Sequence, residues 1–264
     1  MKINFNMKVK PYQKFAKYYD LFYSDKDYKR ECDFIVEVVK KYGRNLGNFI
    51  LDSGCGTGNH ALLLVERGFK VIGVDISNEM ILRARNKVKI KDTANVPEFM
   101  QGDMKRCQLN QKFDVCISMF NTLSYQIKNQ DVLDYLTNIK RHLLPGGLLI
   151  ADFWYGPTVL RSKDDNLIRI KRLEFGKDKL IRIAETTLDT FHHIGILKYQ
   201  FIAIKDSKIV EEFSEIHPHR FFFPQEIILF AEMVGFDVIG LFPGYGLERK
   251  IEDKDWECVL VAKV

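Results

Sequence analysis

The chain has 264 residues, 46% of them hydrophobic and 28% charged, which is enough for a full core and is the composition of an ordinary globular protein. Its net charge of +5 comes from Lys and Arg scattered along the chain without a run or an Arg-rich tail, so no nucleic-acid partner is expected. No apolar stretch approaches membrane-spanning length, residues 1 to 7 lack a signal-peptide core, and Cys32, Cys55, Cys107, Cys116 and Cys258 form no C-x-x-C pair, so a cytoplasmic protein with reduced thiols, no membrane partner and no metal is expected.

Residues 10 to 42 are dense in tyrosine, with Tyr12, Tyr18, Tyr19, Tyr23, Tyr28 and Tyr42. Asp27 to Tyr42 has helical spacing, and Tyr28, Cys32, Ile35, Val36, Val39 and Tyr42 form one face for packing on a sheet. Residues 11 to 26 read as an irregular aromatic strap. The stretch Asn48-Phe-Ile-Leu-Asp-Ser-Gly-Cys-Gly-Thr-Gly58 organises the rest of the chain. Phe49 to Leu51 is a short buried strand that stops at Asp52 and feeds a turn with glycines at 54, 56 and 58, after which His60 to Arg67 is a helix closed by Gly68. Glycines there allow unusual backbone angles and let a ligand approach with no Cβ in the way. Cys55 reads as a small residue that fits the turn. A dinucleotide site would show G-x-G-x-x-G, whereas this chain has G-x-G-x-G with Asn59 in the last glycine's place. The next strand, Lys70 to Val74, ends at Asp75, where an acid accepts hydrogen bonds from both ribose hydroxyls. The spacing therefore points to a nucleoside that need not carry a pyrophosphate.

Ser77 is a candidate N-cap for a helix from Met80 to Val88. Phe99 to Met104 reads as the third strand and its exit, Phe113 to Met119 as the fourth, and Phe120 to Gln126 as a loop at the carboxyl edge, where open α/β sheets bind ligands. A helix from Asp131 to His142 leads through Leu144-Pro-Gly-Gly147 into the strand Leu148 to Trp154, which brings Asp152, Trp154 and Tyr155 to the same edge. Between 164 and 222 the pattern changes to alternation, with four two-faced strands joined at Gly176-Lys177-Asp178 and Asp206-Ser207-Lys208. This antiparallel sheet is expected to be an insertion that covers the active site with one face and sets the substrate. His217-Pro-His219-Arg220 is either an acceptor-binding and proton-accepting edge of that sheet or a strand terminus with exposed imidazoles. A helix from Pro224 to Val234 and two strands, Gly235 to Gly240 and Glu257 to Lys263, one of them antiparallel, complete the chain. The organisation is then a lid and first helix at 1–47, a core at 48–163 and 223–264, and the inserted sheet at 164–222.

Leu51-Asp-Ser-Gly-Cys-Gly-Thr-Gly58, Gly73-Val-Asp-Ile-Ser77 with Met80, Gln101-Gly-Asp-Met104, Phe113-Asp114 and Leu144-Pro-Gly-Gly147 together resemble the ordered motif series of class I S-adenosylmethionine-dependent methyltransferases. The resemblance spans residues 48 to 155. It implies an α/β, Rossmann-like sheet with helices on both faces and S-adenosyl-L-methionine as the cofactor. It also implies that Asp52, Gly54, Cys55, Gly56, Gly58 and Asp75 surround the cofactor, with Ile76 and Met80 packed against it. Asp103 then meets the adenine amino group, with Gly102 beside it in the cofactor site, the Met104 N–H faces the ring, and Met119 opens the loop at the transferring methyl. Tyr19-Asp20-Leu-Phe-Tyr-Ser-Asp-Lys26-Asp27-Tyr28 resembles the lid of sugar N-methyltransferases, which places Tyr12, Tyr19 and Tyr28 against ligand. Met119-Phe-Asn-Thr-Leu-Ser-Tyr125 resembles the corresponding loop of nucleotide-sugar N-methyltransferases, with tyrosine where those enzymes often carry histidine, and Asp152-Phe-Trp154 keeps their acid and one tryptophan.

Methyl transfer from a sulfonium is an in-line displacement that depends mainly on alignment, and an amine acceptor must arrive neutral. Tyr12, Tyr125, His217 and His219 are the expected groups to take its proton or hold its lone pair in line. Asn121, Asp152, Trp154 and Arg220 are expected at the acceptor. The leading expectation is N-methylation of a small amine, first of all an amino sugar linked to a nucleotide, whose diphosphate Arg169, Lys171, Arg172 and Arg182 would meet if they are not simply a solvated face. A small-molecule O-methyltransferase, a glycine-type N-methyltransferase and a non-catalytic cofactor-binding module are the alternatives; a dehydrogenase is disfavoured by the glycine spacing. Monomer and homodimer are both left open.

Overall fold

A computed structural model describes residues 11–89, 95–162 and 167–264. The reading of residues 1 to 7 as lacking a signal segment lies outside the described residues, as do positions 164–166 of the inserted region.

Apolar runs bounded by turn residues become the parallel strands β1 (Phe49–Ser53), β2 (Lys70–Asp75), β3 (Glu98–Gln101), β4 (Phe113–Ser118) and β5 (Leu143–Tyr155). They lie in the order β3-β2-β1-β4-β5. The strand order reverses between β1 and β4, which opens a crevice at their carboxyl ends.

Alternation along each strand separates two cores. Ile50, Val115 and Ile117 face one side with Cys32, Ile35, Val38, Leu64 and Ala84. These come from α2 (Tyr28–Tyr42), α3 (Asn59–Glu66) and α4 (Asn78–Lys89). Leu51, Cys116 and Leu149 face the other side with Leu136, Ile139, Ile227 and Phe230, from α5 (Asn129–His142) and α7 (Pro224–Met233). The Asp27 carboxylate caps α2, accepting from Arg30 N–H at 3.0 Å, and the Ser77 hydroxyl accepts from Met80 N–H at 3.3 Å. The buried face of α2 is rotated from the expected one. It comprises Glu31, Cys32, Phe34, Ile35 and Val38, and a glutamate joins it because Lys26 and His60 satisfy its carboxylate.

The alternating region forms a meander of β6 (Leu167–Phe175), β7 (Asp178–Asp189), β8 (Ile194–Lys205) and β9 (Lys208–Phe222). Asp206 and Ser207, with φ of 47° and 63°, make the tight β8–β9 turn. β9 runs on to pair with β5 in parallel, Trp154 opposite Phe221 and Tyr155 opposite Phe222. It takes up the edge of β5 beyond the end of β4, so the meander and the parallel strands join in one sheet, eleven-stranded with β10 and β11. On the opposite edge, β11 (Glu257–Lys263) lies antiparallel to β5, and β10 (Asp237–Pro243) lies antiparallel to β11.

A third apolar cluster fastens the N-terminal segment to this sheet. Phe15, Tyr19 and Phe22, from a 3₁₀ turn (Phe15–Tyr18) and the one-turn α1 (Tyr19–Phe22), pack with Leu197, Tyr199, Phe201 and Phe221. Full burial of a phenylalanine is worth roughly 1.5–3 kcal/mol, and Phe15 and Phe22 are both buried to 1% or less exposure.

Candidate active site

The glycine turn after β1 has an open side and a closed side. Gly56 has φ of +53° with free space where a Cβ would project, while a Cβ on Gly58 would fall 2.4 Å from the Phe99 ring. The first glycine lets a ligand reach the backbone, and the second closes the helix onto the sheet. Asp75 spans the turn, its Oδ2 accepting from Gly56 N–H and its Oδ1 from Ser77 N–H, both at 2.8 Å. Asp52 is buried, its Oδ2 lacks a partner among the described residues, and burial pushes its carboxyl up to about 7. A desolvated, unpartnered acceptor beside an open glycine backbone fits a nucleoside ligand that also brings a donor or a positive charge. Asp103 caps its own turn by accepting from Lys105 N–H at 2.9 Å, and the Gly102 N–H is given to the Asp75 carbonyl.

The strap crosses this turn and is fastened at two places. At α1, Asp20 Oδ1 accepts from Thr57 Oγ1 at 2.7 Å, Asn59 Nδ2 at 3.1 Å and Lys87 Nζ at 2.8 Å. Further upstream, Glu215 of β9 accepts from the backbone N–H groups of Tyr12, Lys14 and Phe15 at 2.9–3.0 Å, while Ser77 Oγ donates to the Tyr12 carbonyl. Tyr19 is buried among aromatic rings, 5.8 Å from Tyr12 and 4.8 Å from Tyr23. Tyr28 packs edge-on against His60 at 5.0 Å.

Between strap, loop and meander lies a cavity of about 260 Å³. Tyr12, Asn121, Trp154, Arg182, His219 and Glu257 are among its lining residues. Three residues expected to be catalytic form one hydrogen-bonded chain, with Tyr125 Oη 2.8 Å from both Tyr12 Oη and His217 Nδ1. His217 Nε2 lies 3.2 Å from Glu215 Oε2, which leaves Nδ1 as the acceptor when Nε2 carries the proton. His219 packs edge-on against Tyr125 at 4.3 Å and lies tilted against Trp154 at 5.0 Å. Both imidazoles are buried, which excludes a strand terminus with exposed imidazoles. Burial pushes His219 down to about 3, and it lowers His217 against the pull of Glu215. Both are therefore neutral near pH 7. Burial also raises the phenols of Tyr12 and Tyr125 well above the ordinary tyrosine range.

Two expected acceptor contacts are corrected. Asp152 is fully buried and already occupied, accepting from Phe120 N–H at 2.7 Å, Asn121 N–H at 2.6 Å and Tyr245 Oη at 2.6 Å. It holds Phe120 and Asn121 at φ of 57° and 62°, a strained pair that aims Asn121 while Asp152 itself stays outside the cavity lining. Arg220 is one residue out of phase with His217 and His219, so it projects from the other face of β9. There its guanidinium bonds Glu226 and lies about 5 Å over Phe222 and Phe230. Of the residues expected to pack on the cofactor, Ile76 is 65% exposed, whereas Met80, Met104 and Met119 are buried in the three apolar clusters. Cys55 is buried and burial raises its thiol far above the reactive range.

Glu215 and Glu257 were not anticipated. Glu215 had a usable signal, since it is two residues before His217 on an alternating strand. Glu257 had none, because it joins the cavity through the pairing of β11 with Trp154.

A family profile described as a methyltransferase domain matches residues 50–147. A dTDP-3-amino-3,4,6-trideoxy-alpha-D-glucopyranose N,N-dimethyltransferase of Streptomyces venezuelae is 30% identical over 204 residues, covering 76% of this chain and 81% of that protein. The chain belongs to the class I S-adenosylmethionine-dependent methyltransferases. S-Adenosyl-L-methionine is the cofactor of this methyltransferase. A methyltransferase of Geobacillus sp. (strain WCH70) is 34% identical over 142 residues, covering 53% of this chain and 56% of that protein. The fold is also that of a solved S-adenosylmethionine-dependent methyltransferase from Clostridium acetobutylicum, with a TM-score of 0.79, 23% identity and coverage of 96% and 98% of the two chains.

Proposed function

We propose that this methyltransferase methylates the amino group of a small acceptor and that the acceptor is an amino sugar linked to a nucleotide. The observation that carries the reading is the polar inventory of the cavity. Asn121 Oδ1, His219 Nδ1 and Arg182 Nε belong to lining residues, are buried, and have no hydrogen-bond partner among the described residues. Glu257 lines the same space with a carboxyl that burial pushes up to about 7. Unsatisfied buried donors and acceptors are costly, so a cavity that keeps several suits a ligand rich in hydroxyl and amino groups. The activity of the Streptomyces venezuelae relative, on an amino sugar carried by dTDP, supports the same class.

When bound, S-adenosylmethionine supplies a methyl group on a cationic sulfur. Asp75 would hold the ribose, since each oxygen that accepts one backbone N–H retains a second lone pair. Asp52 and the backbone of residues 54–58 would border the amino-acid portion, and Asp103 would meet the adenine. Tyr12 stands at the cavity end of the hydrogen-bonded chain. At rest the Tyr125 hydroxyl donates to Tyr12 Oη; as Tyr12 takes the amine's proton and passes its own to Tyr125, the Tyr125 hydroxyl would turn its proton to His217 Nδ1, where Glu215 stabilises the resulting imidazolium. His219, held neutral, orients the amine without competing for its proton. Arg169 and Arg182 line the cavity wall from β6 and β7 and suit a diphosphate.

The test is mass spectrometry of reactions containing S-adenosylmethionine and a panel of nucleotide-linked amino sugars, with glycine and simple alcohols beside them. One or two added methyl groups on the amino sugars alone is the expected result. Product only from glycine or from a hydroxyl would overturn the acceptor class while leaving the family assignment intact.

A further inference from the structure

We infer that Glu215 is a positioning residue that makes the Tyr12–Tyr125–His217 chain conditional on closure of the strap. This rests on the proposed role of that chain in handling the acceptor's proton. A single carboxylate serves both sides of the arrangement. Oε1 accepts from Lys14 N–H and Phe15 N–H, each at 3.0 Å. Oε2 accepts from Tyr12 N–H at 2.9 Å and lies 3.2 Å from His217 Nε2. The side chain is only 8% exposed, and that of His217 is fully buried.

The geometry acts on the chain in two ways. First, Tyr12 has φ of 61°, a left-handed conformation that is unfavourable for a tyrosine and persists where surrounding bonds over-determine it. The Glu215 bond to its N–H and the Ser77 bond to its carbonyl do so, and together they bring the phenol to Tyr125. Second, a carboxylate facing Nε2 keeps the proton on that nitrogen and leaves Nδ1 as the acceptor for the Tyr125 hydroxyl when that hydroxyl turns from Tyr12. With the strap lifted, Tyr12 leaves the chain and Glu215 loses three of its donors. The cofactor crevice is then open, and the proton path is incomplete at the same moment. One carboxylate thereby couples exclusion of water to assembly of the reacting constellation.

Glu215→Gln is the discriminating substitution, because the amide carbonyl still accepts backbone N–H groups while its NH₂ donates where the carboxylate accepted. Three measurements on the full chain separate positioning from mere support. With S-adenosylhomocysteine bound, nitrogen–proton correlation of the histidine side chains, assigned through His217→Asn, is expected to show Nε2 protonated in the wild type and the proton shifted toward Nδ1 in Glu215→Gln. Trypsin cleavage after Lys14 and Lys17 is expected to become about tenfold faster, the equivalent of one lost charge-assisted hydrogen bond. Turnover on the best acceptor of the panel is expected to fall about a hundredfold, and the double variant Glu215→Gln, His217→Asn should be no slower than the slower single one. An unchanged His217 tautomer, or losses in turnover that multiply in the double variant, would overturn the proposal. The tautomer and the cleavage rate need no acceptor. If the wild type methylated none of the panel, the acceptor reading would fall while these two readouts still decided the role of Glu215.

Discussion

Tyr125 joins the acceptor cavity to His217, because its hydroxyl lies 2.8 Å from both the Tyr12 hydroxyl and the imidazole Nδ1. Tyr125→Phe removes both bonds and preserves the ring that packs on His219. If the chain carries the amine's proton, turnover falls roughly a hundredfold or more, the lower range for loss of a general acid–base group, with binding of S-adenosylhomocysteine unchanged. Calorimetric titration alongside steady-state kinetics checks both halves, and equal turnover by the variant would remove Tyr125 from the chemistry.

Asp52 gives a second residue-scale expectation. Burial raises its carboxyl from 3.8 to about 7, with the Asp75 charge adding to the rise and His60 opposing it. A carboxyl that holds its proton more tightly folded than unfolded favours the folded state below pH 4. That contribution is lost as pH rises toward 7, up to about 4 kcal/mol in all. Unliganded stability should therefore decline between pH 4 and pH 7, and Asp52→Asn should flatten its share of the decline. Glu257, also raised to about 7 by burial, contributes in the same direction, as do Asp75 and Asp152, whose carboxyls burial likewise raises. Chemical denaturation at several pH values measures both slopes, and an unaltered slope in Asp52→Asn would show that Asp52 ionises normally.

Among the elements, β9 shows what could be read from sequence and what could not. Alternation from Ile209 to Ile216 points to a two-faced strand, and the same alternation, applied through Phe222, separates Arg220 from His217 and His219. The His-Pro-His-Arg cluster was read as one patch of like chemistry, although neighbours in a strand face opposite ways. Arg220→Met should accordingly lower the melting temperature by the equivalent of about 2 kcal/mol, the cost of taking the guanidinium from Glu226 while Phe223 N–H stays on its carboxylate, and should leave kcat and KM unaltered. A rise in acceptor KM would return Arg220 to the cavity. The glycine turn, Asp75 and the N-cap at Ser77 were legible because each depends on local backbone geometry. The saturation of Asp152 was not, since Tyr245 reaches it from 93 residues away in sequence.

At the scale of the whole molecule, the division into a 48–163 and 223–264 core and a 164–222 cover meets the continuity of β9. Lys208 to Arg220 pair with β8 in the meander and the last two residues pair with β5, so the strand is shared by both parts. The strap adds a second dependence, because Phe15 stacks on Phe201 at 4.3 Å and Phe22 meets the same ring at 5.8 Å. Removal of 167–220 with a short glycine–serine bridge would expose this aromatic cluster and eliminate Glu215, the clamp on Tyr12, Lys14 and Phe15. The remaining strands would keep their order, but the strap would have no surface on which to close. We expect such a variant to show a broad, non-cooperative melt and no measurable binding of S-adenosylhomocysteine. Cooperative melting with retained cofactor binding would mean that the cover is an independent unit set upon a self-sufficient core. Loss of both would place the meander within the cooperative folding unit, with β9 and the strap contacts as the physical reason.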